Sequence, residues 1–183
     1  MYKKSVKSPI ASIIIPCLNE VGVVNVLLDQ LVSQNDESVE VIAVDNGSSD
    51  DTLAILSSYK KLGVHVVSGI KEGVSRARNA GANVASGEWL VFLDADATVS
   101  QSFTSDLLAL LESEPEFDLA ALAYRAQTKN TIFILLTASA QTYQRMMYRL
   151  AKKPLVPGSF VLIRATIHQK IGGYDEKIRY NED

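Results

Sequence analysis

Two aspartates separated by one residue follow a short, uninterrupted apolar run. Trp89–Leu93 are five consecutive apolar residues, which is typical of a strand buried on both faces in a parallel sheet. Asp94 and Asp96 come next, where open α/β folds bind ligands. Side chains two apart on an extended chain share a side, and adjacent carboxylates raise each other's pKa unless a cation separates them. The pair predicts a site for Mg²⁺ or Mn²⁺ shared with phosphate oxygens; the alternative is an acidic turn without a ligand.

The elements that would position this pair alternate between strand-like and helix-like segments, as in βαβ units. The β-branched residues 12–15 predict a first strand that stops at Pro16, because proline does not donate to a sheet ladder. Asn19 is then expected to cap a helix over residues 23–32. Further strands are expected at residues 39–44, 64–67, 89–93, 119–124 and 160–163. This order predicts an α/β fold, a three-layer sandwich around a mostly parallel, Rossmann-like central sheet.

A helix expected at residues 72–85 carries two arginines and an internal glycine. Arg76 and Arg78 are two residues apart and therefore point to different sides, so only one of them should face a pocket. Gly81 costs about 1 kcal/mol relative to alanine inside a helix, which predicts a close packing contact there. Other helices are expected through Leu53, Leu56 and Tyr59, and over residues 100–111 and 166–171.

Three strand ends should deliver polar side chains to the same edge of the sheet. Asn19 and Glu20 follow the first strand, Asp45 ends the second, and Asp94 and Asp96 follow the fourth. An aspartate at such an edge can accept hydrogen bonds from the ring N–H of uracil or guanine, or from ribose hydroxyls. Because the sequence has no glycine-rich phosphate loop, a bound diphosphate would depend on the metal for charge neutralisation.

Composition narrows the class of protein. The 183 residues are 47% hydrophobic and 21% charged, which is typical of one globular domain spanning residues 1–183. The net charge of −3 argues against nucleic acid as a partner. One cysteine, Cys17, fits a reducing, cytoplasmic location and is expected to be a small buried side chain. His65 and His168 lack partners at metal-ligand spacing, so both are expected to be structural.

The sequence also bears on contact with a membrane. No stretch approaches the about 20 apolar residues that a membrane span needs, and the lysine-rich start lacks the apolar run of a signal peptide. Residues 132–153 combine an apolar run with several basic residues, so a helix there could lie on the inner face of an anionic membrane as a peripheral contact. The alternative, which we favour, is a helix packed on its own domain.

Seven short sequence blocks follow one another along the chain. The blocks are IIIPCLNE at 13–20, VDNGSSD at 44–50, ARNAG at 77–81, FLDAD at 92–96, PGSF at 157–160, GGYDE at 172–176 and ED at 182–183. In this order they resemble the blocks of the family 2 glycosyltransferases, which have the nucleotide-diphospho-sugar transferase fold. Each block is weak alone, but seven in family order and spacing are specific, and they cover essentially the whole chain.

The resemblance implies a role for each matching position. Asp45 would hold the nucleobase, Asp94 would meet the ribose or the metal, and Asp96 would ligate Mn²⁺ or Mg²⁺ at the diphosphate. Gly158 and Ser159 would approach the donor sugar closely. The remaining implied residues are Pro16, Asn19, Glu20 and Arg78 for nucleotide binding, and Glu182 and Asp183 for catalysis, with Asp183 as general base.

The implied activity is metal-dependent inverting transfer of a sugar from a UDP- or GDP-linked donor to an acceptor hydroxyl or a lipid phosphate. The acceptor would be a carbohydrate or a lipid-linked molecule, as in the synthesis of cell-envelope polysaccharide or glycolipid. Relatives continue past the position of Asp183, so the single domain is expected to lack a C-terminal portion.

Two alternatives remain open from the sequence. An apolar run followed by Asp94 and Asp96 also fits the first motif of haloacid dehalogenase-like phosphatases, with Asp94 as nucleophile and Asp96 as acid. Those enzymes need a later strand that ends in paired acids, and the sequence after Asp96 offers none. A non-catalytic nucleotide-sugar-binding module is the second alternative, because the same cleft would bind a diphosphate without processing an acceptor.

Overall fold

The described part of the chain forms one sheet with helices on both faces. The computed structural model describes residues 8–71, 73–113, 118–121 and 160–177. The strands are β1 (Ala11–Cys17), β2 (Val39–Asp45), β3 (His65–Val67), β4 (Trp89–Leu93), β5 (Leu119–Ala121) and β6 (Phe160–Arg164). The helices are α1 (Val24–Gln34), α2 (Thr52–Ser58), α3 (Val74–Val84), α4 (Phe103–Ser113) and α5 (Ala165–Lys170), with a 3₁₀ helix at Tyr59–Leu62.

The strands lie in the order β3-β2-β1-β4-β6-β5. The pairs β1–β2, β2–β3 and β1–β4 are parallel, whereas β6 runs antiparallel to both β4 and β5. The expectation of a mostly parallel sheet is confirmed. Because β1 and β4 are parallel neighbours at the centre, their carboxyl ends open on the same edge of the sheet.

Side chains of β1 show how the sheet divides the core. Ile13 and Ile15 pack in the cluster that includes residues of α1, α2 and α4. Ile14 points the other way and packs with Ala77 of α3 and with residues of α5. This alternation places α1, α2 and α4 on one face and α3 and α5 on the other, so the three-layer expectation is also confirmed.

The first strand and the loop after it differ from the sequence prediction. β1 does not stop at Pro16 but continues to Cys17. β4 pairs with β1 only as far as Ile14, so Pro16 lies where β1 has a neighbour on one side only. Asn19 does not cap α1 either: the helix begins at Val24, and Asn19 adopts a left-handed φ of 56°. Its side chain bonds to another loop instead.

Two packing predictions are confirmed. All five residues of β4 are buried, as the apolar run indicated. A Cβ atom placed on Gly81 of α3 would lie 2.4 Å from Cγ2 of Ile14, so glycine is needed for the helix to approach β1 this closely. None of the described helices is long and apolar enough to cross a membrane. The segment 132–153, on which the peripheral-contact prediction rests, lies outside the described residues.

Candidate functional site

A cleft of about 420 Å³ opens at the carboxyl ends of β1 and β4. Its walls come from the loops that follow β1, β2 and β4, together with the first half of α3. The lining residues are Pro16, Cys17, Leu18, Asn19, Glu20, Asn46, Val74, Arg78, Asp94, Ala95 and Asp96. Six residues predicted for the site, namely Pro16, Asn19, Glu20, Arg78, Asp94 and Asp96, therefore lie around one cavity.

The loop after β1 is fastened to the loop after β2 by a set of hydrogen bonds. Asn19 Oδ1 accepts from the backbone N–H of Ser49 at 2.8 Å, and the Asn19 N–H donates to Ser48 Oγ at 3.1 Å. The Glu20 N–H donates to Thr52 Oγ1 at 2.8 Å. Ser48, Ser49 and Thr52 were not predicted as site residues, although Ser48 and Ser49 lie in the VDNGSSD block and in a turn-forming sequence. Asn19 thus shapes the cleft wall with its side chain.

Asp45 is buried and is not among the residues that line the cavity. The residue is 4% exposed, and its carboxylate oxygens accept from the backbone N–H groups of Ser48 at 3.3 Å and Gly47 at 3.4 Å. The next residue, Asn46, does line the cleft. Asn46 is 2% exposed, and its Oδ1 is buried with no hydrogen-bond partner in the described structure. Sequence reasoning missed Asn46, and the role of Asp45 at a nucleobase stays a prediction.

The two aspartates after β4 approach the cleft by a turn. The Ala97 N–H donates to the carbonyl of Asp94 at 3.1 Å, so the segment is not extended as the sequence argument assumed. Asp94 and Asp96 nevertheless both line the cavity, with Asp94 half-buried and Asp96 exposed. The two carboxylates therefore face the same cavity because of this turn, and not because side chains alternate along a strand.

Arg78 reaches the same cavity from α3. Its Nη2 lies 3.1 Å from Asp94 Oδ1, and the side chains of Arg78 and Asp94 are 13% and 37% exposed. Arg76 points elsewhere and pairs with Glu176, with 3.6 Å between Arg76 Nε and Glu176 Oε2. The prediction that only one of the two arginines faces the pocket is confirmed. Arg78 brings a positive charge and several N–H donors to the acidic side of the cleft.

Burial raises the pKa of Asp94 above its ordinary value. The positive charge and hydrogen bond of Arg78 oppose this rise, while the negative charge of Asp96 adds to it. Burial also raises the pKa of the Cys17 thiol, and the carboxylates of Glu20 and Asp45 act in the same direction. Cys17 is fully buried, which confirms that it is a core side chain.

The two aspartates suit a hard divalent cation. Carboxylate oxygens are the preferred ligands of Mg²⁺ and Mn²⁺, and a cation would offset the negative charge of Asp96, which adds to the rise that burial causes in the pKa of Asp94. Within the described ranges, no cluster of three or more His, Cys, Asp or Glu side chains is arranged to hold a metal. The two aspartates would therefore supply part of a coordination sphere whose other ligands are water or phosphate oxygens, as is usual for Mg²⁺.

Part of the predicted site cannot be placed. Gly158, Ser159, Glu182 and Asp183 lie outside the described residues, so the donor-sugar contact and the general base stay predictions. Among the described residues, Glu20 is the only acidic side chain besides the two aspartates that lines the cleft. Within the part of the chain that the structure describes, this cavity therefore has no second acidic pair of the kind that a haloacid dehalogenase-like phosphatase requires.

The fold and the cleft define a three-layer α/β protein with an acidic ligand site at the carboxyl ends of its central strands. The family model for glycosyl transferase family 2 matches residues 12–172. The chain therefore belongs to glycosyl transferase family 2, which confirms the family expected from the sequence blocks.

Individual relatives agree with this assignment. A Haemophilus influenzae protein described as an uncharacterized glycosyltransferase is 27% identical over 173 residues, covering 94% of this chain and 58% of the relative. The crystal structure of S. aureus TarS 1-349 in complex with UDP has a TM-score of 0.69 at 22% identity, covering 94% of this chain and 52% of that one.

A mannosyltransferase, PcManGT from Pyrobaculum calidifontis in complex with GDP-Man and Mn²⁺, also has a TM-score of 0.69, at 20% identity, covering 94% of this chain and 49% of its own. At these identities the two structures show a shared fold, which confirms the expected architecture. The chain spans about half the length of the proteins it matches.

Proposed function

We propose that this chain binds a nucleoside-diphosphate sugar in the cleft and forms the donor-binding part of a metal-dependent, inverting glycosyltransferase. The observation that carries the proposal is the convergence of Arg78, Asp94 and Asp96 beside the buried, unpartnered Oδ1 of Asn46. A buried acceptor without a partner is costly, so it favours a ligand that donates a hydrogen bond there. Nearby carboxylates and an arginine fit a ligand that carries both phosphates and hydroxyl groups.

The nucleoside end of the donor would lie against the loops after β1 and β2. Asn46 Oδ1 can accept from a ring N–H of uracil or guanine or from a ribose hydroxyl. Pro16, Asn19 and Glu20 would line this part of the cleft, and Asp45, buried at the end of β2, would hold the nucleobase. TarS in complex with UDP and PcManGT in complex with GDP-Man support either uridine or guanosine as the nucleoside.

The diphosphate would lie near the turn after β4. Asp94 and Asp96 would hold Mn²⁺ or Mg²⁺, which when bound offsets the negative charge that develops on the leaving diphosphate. The complex of PcManGT with Mn²⁺ supports this choice of ion. Arg78 would donate N–H groups to a phosphate oxygen while keeping its contact with Asp94. The protein would thereby stabilise the leaving group without donating a proton to it.

Transfer would then be a single displacement. The acceptor oxygen attacks the anomeric carbon as the bond from that carbon to the diphosphate oxygen breaks, which inverts the configuration. Asp183, next to Glu182, would take the proton from the acceptor hydroxyl, a contribution of about 10²–10⁴-fold in rate. The acceptor in this proposal is a carbohydrate or a lipid-linked molecule, and a lipid phosphate acceptor would need no such proton transfer.

Calorimetry and a turnover assay test the proposal together. UDP and GDP, each with and without Mn²⁺, are titrated into the protein, and release of the nucleotide from UDP- and GDP-sugars is followed separately. We expect Mn²⁺-dependent binding of one nucleotide and, with a suitable acceptor, its release. Binding without release in any acceptor panel would favour the non-catalytic module, and absence of binding to both nucleotides would refute the proposal.

A charge-matched pair of variants locates the site. Asp96→Asn should weaken Mn²⁺-dependent nucleotide binding by about tenfold or more, because one carboxylate is lost from the cation site. Asp118→Asn removes the same charge from an exposed residue that pairs with Arg164, at the far end of the sheet. Its nucleotide affinity should equal that of the wild type. Equal losses in both variants would mean that only the overall charge matters.

A further inference from the structure

The ring of Tyr174 contacts Arg78, the arginine of the cleft, although Tyr174 itself does not line the cleft. The Cζ atom of Arg78 lies 5.3 Å from the centre of the Tyr174 ring, within the range of a cation–π contact. The ring meets the ring of Phe92 edge-on, with 5.0 Å between centroids and 85° between planes. Phe92 is fully buried in β4, two residues before Asp94. Tyr174 therefore packs against the strand that precedes the two aspartates, and its ring also contacts the guanidinium of Arg78.

The backbone of Tyr174 is clamped by the residue next to Arg78. Asn79 Oδ1 accepts from the Tyr174 N–H at 2.9 Å, and Asn79 Nδ2 donates to the Tyr174 carbonyl at 3.0 Å. The same amide also donates to Glu176 Oε1 at 3.0 Å. Asn79 and Tyr174 are 95 positions apart in the chain. Two adjacent residues of α3 thus bind Tyr174: Arg78 contacts its ring, and Asn79 bonds to its backbone.

Gly173 makes this clamp sterically feasible. Its φ of 74° lies in the left-handed region, which glycine adopts without strain. A Cβ atom at this position would lie 2.6 Å from Asn79 Oδ1 and 3.1 Å from Cε1 of His168. Any larger residue would push the amide away from the backbone of Tyr174.

We infer that Tyr174 and Asn79 are positioning residues that hold the Arg78 guanidinium at the ligand cleft. Arginine has several rotatable bonds, so fixing its fork before binding reduces the entropy lost when it meets a phosphate. The contact with Asp94 fixes one side of the guanidinium, and the Tyr174 ring covers its face. This inference rests on the proposed function, because a pre-positioned arginine has a purpose only if the cleft binds an anion.

The test compares nucleotide binding in variants of the full chain. The probe is UDP or GDP, whichever binds the wild type, titrated with saturating Mn²⁺. Tyr174→Leu removes the ring and should weaken binding by about fivefold to tenfold. Tyr174→Phe keeps the ring and should restore most of the affinity. Trp89→Phe is the matched control, because Arg164 lies 4.3 Å above the Trp89 ring at the opposite end of β4; its affinity should not change.

A double-mutant cycle separates positioning from a purely structural role. In an Arg78→Met background, Tyr174→Leu should change the affinity by less than about twofold, because the group that Tyr174 positions is gone. The same loss in both backgrounds would overturn the inference. If thermal unfolding shows that Tyr174→Leu is not folded, Asn79→Ala takes its place in the cycle with the same expectation. Wild-type protein that binds neither nucleotide refutes the proposed function as well, whereas normal binding by all variants refutes the positioning role alone.

Discussion

Replacing Gly81 by alanine tests how closely α3 must approach the sheet. The added Cβ would lie 2.4 Å from Cγ2 of Ile14 and 3.1 Å from Cγ2 of Val44. Both of these side chains are fully buried, so neither can turn into solvent to make room. Carbon atoms in contact are about 3.5–4.0 Å apart, so α3 must move outward by about 1 Å.

The expected cost follows from two opposing effects. Alanine stabilises a helix interior by about 1 kcal/mol relative to glycine. Overpacking a core costs about 1–3 kcal/mol, and the 2.4 Å approach to a fixed methyl group puts Gly81→Ala near the upper end. We therefore expect Gly81→Ala to lower the free energy of unfolding by about 1–2 kcal/mol. Urea unfolding followed by fluorescence measures it directly, because Trp89 is the single tryptophan and is buried.

Asn83→Ala is the control for this measurement. Asn83 is exposed on the same helix, so its replacement should leave stability unchanged or slightly raised. Arg78 lies about one turn before Gly81, so an outward shift of α3 should also loosen the contact between Arg78 and Asp94 and weaken nucleotide binding. A Gly81→Ala protein as stable as the wild type would show that the helix is not packed this tightly, and the reasoning would fail.

Two further predictions concern buried titratable groups. Cys17 is fully buried and burial raises the pKa of its thiol, so iodoacetamide at pH 8 should modify it only after unfolding; labelling of native protein, read by mass spectrometry, would contradict this. Burial lowers the pKa of His168 from 6.5, so below that pH the unfolded chain gains a proton that the folded chain does not, and stability falls. Replacing this side chain, as in His168→Phe, should reduce the loss of stability between pH 7.5 and 5.5 measured by urea unfolding; an equal loss in both proteins would exclude His168 as its source.

The sequence of a short segment was enough to predict features that depend on a single helix or strand and on how deeply it is buried. Trp89–Leu93 are apolar without interruption because β4 is covered on both faces. Gly81 was identified by its cost within a helix, which a close contact with β1 explains. Helix geometry alone predicted that only one of Arg76 and Arg78 faces the pocket, and Arg78 is the one that does. In each case, the prediction needed only the geometry of a single strand or helix.

Pairings between distant loops could not be predicted in this way. Asn19 looked like a helix cap because asparagine favours that position, yet its side chain bonds to Ser49 in another loop. Asn79 was part of a recognised block, but its bonds to Tyr174 depend on how α5 returns to α3. Asparagine has the same donors and acceptors in every setting, so its partner is decided by tertiary structure and not by residue type.

The polar residues of the blocks that resemble the family fall into two physical groups. Asn19, Asp45 and Asn79 have their oxygens engaged by backbone N–H groups, so substituting them would first disturb loops and their connections. Asn46 has a buried oxygen without a partner, and Asp96 is exposed at the cleft, so both have capacity left for a ligand. Loss of binding in an Asn19 or Asp45 variant therefore indicates a displaced wall. Loss of binding with unchanged stability, expected for Asp96→Asn, indicates a ligand contact.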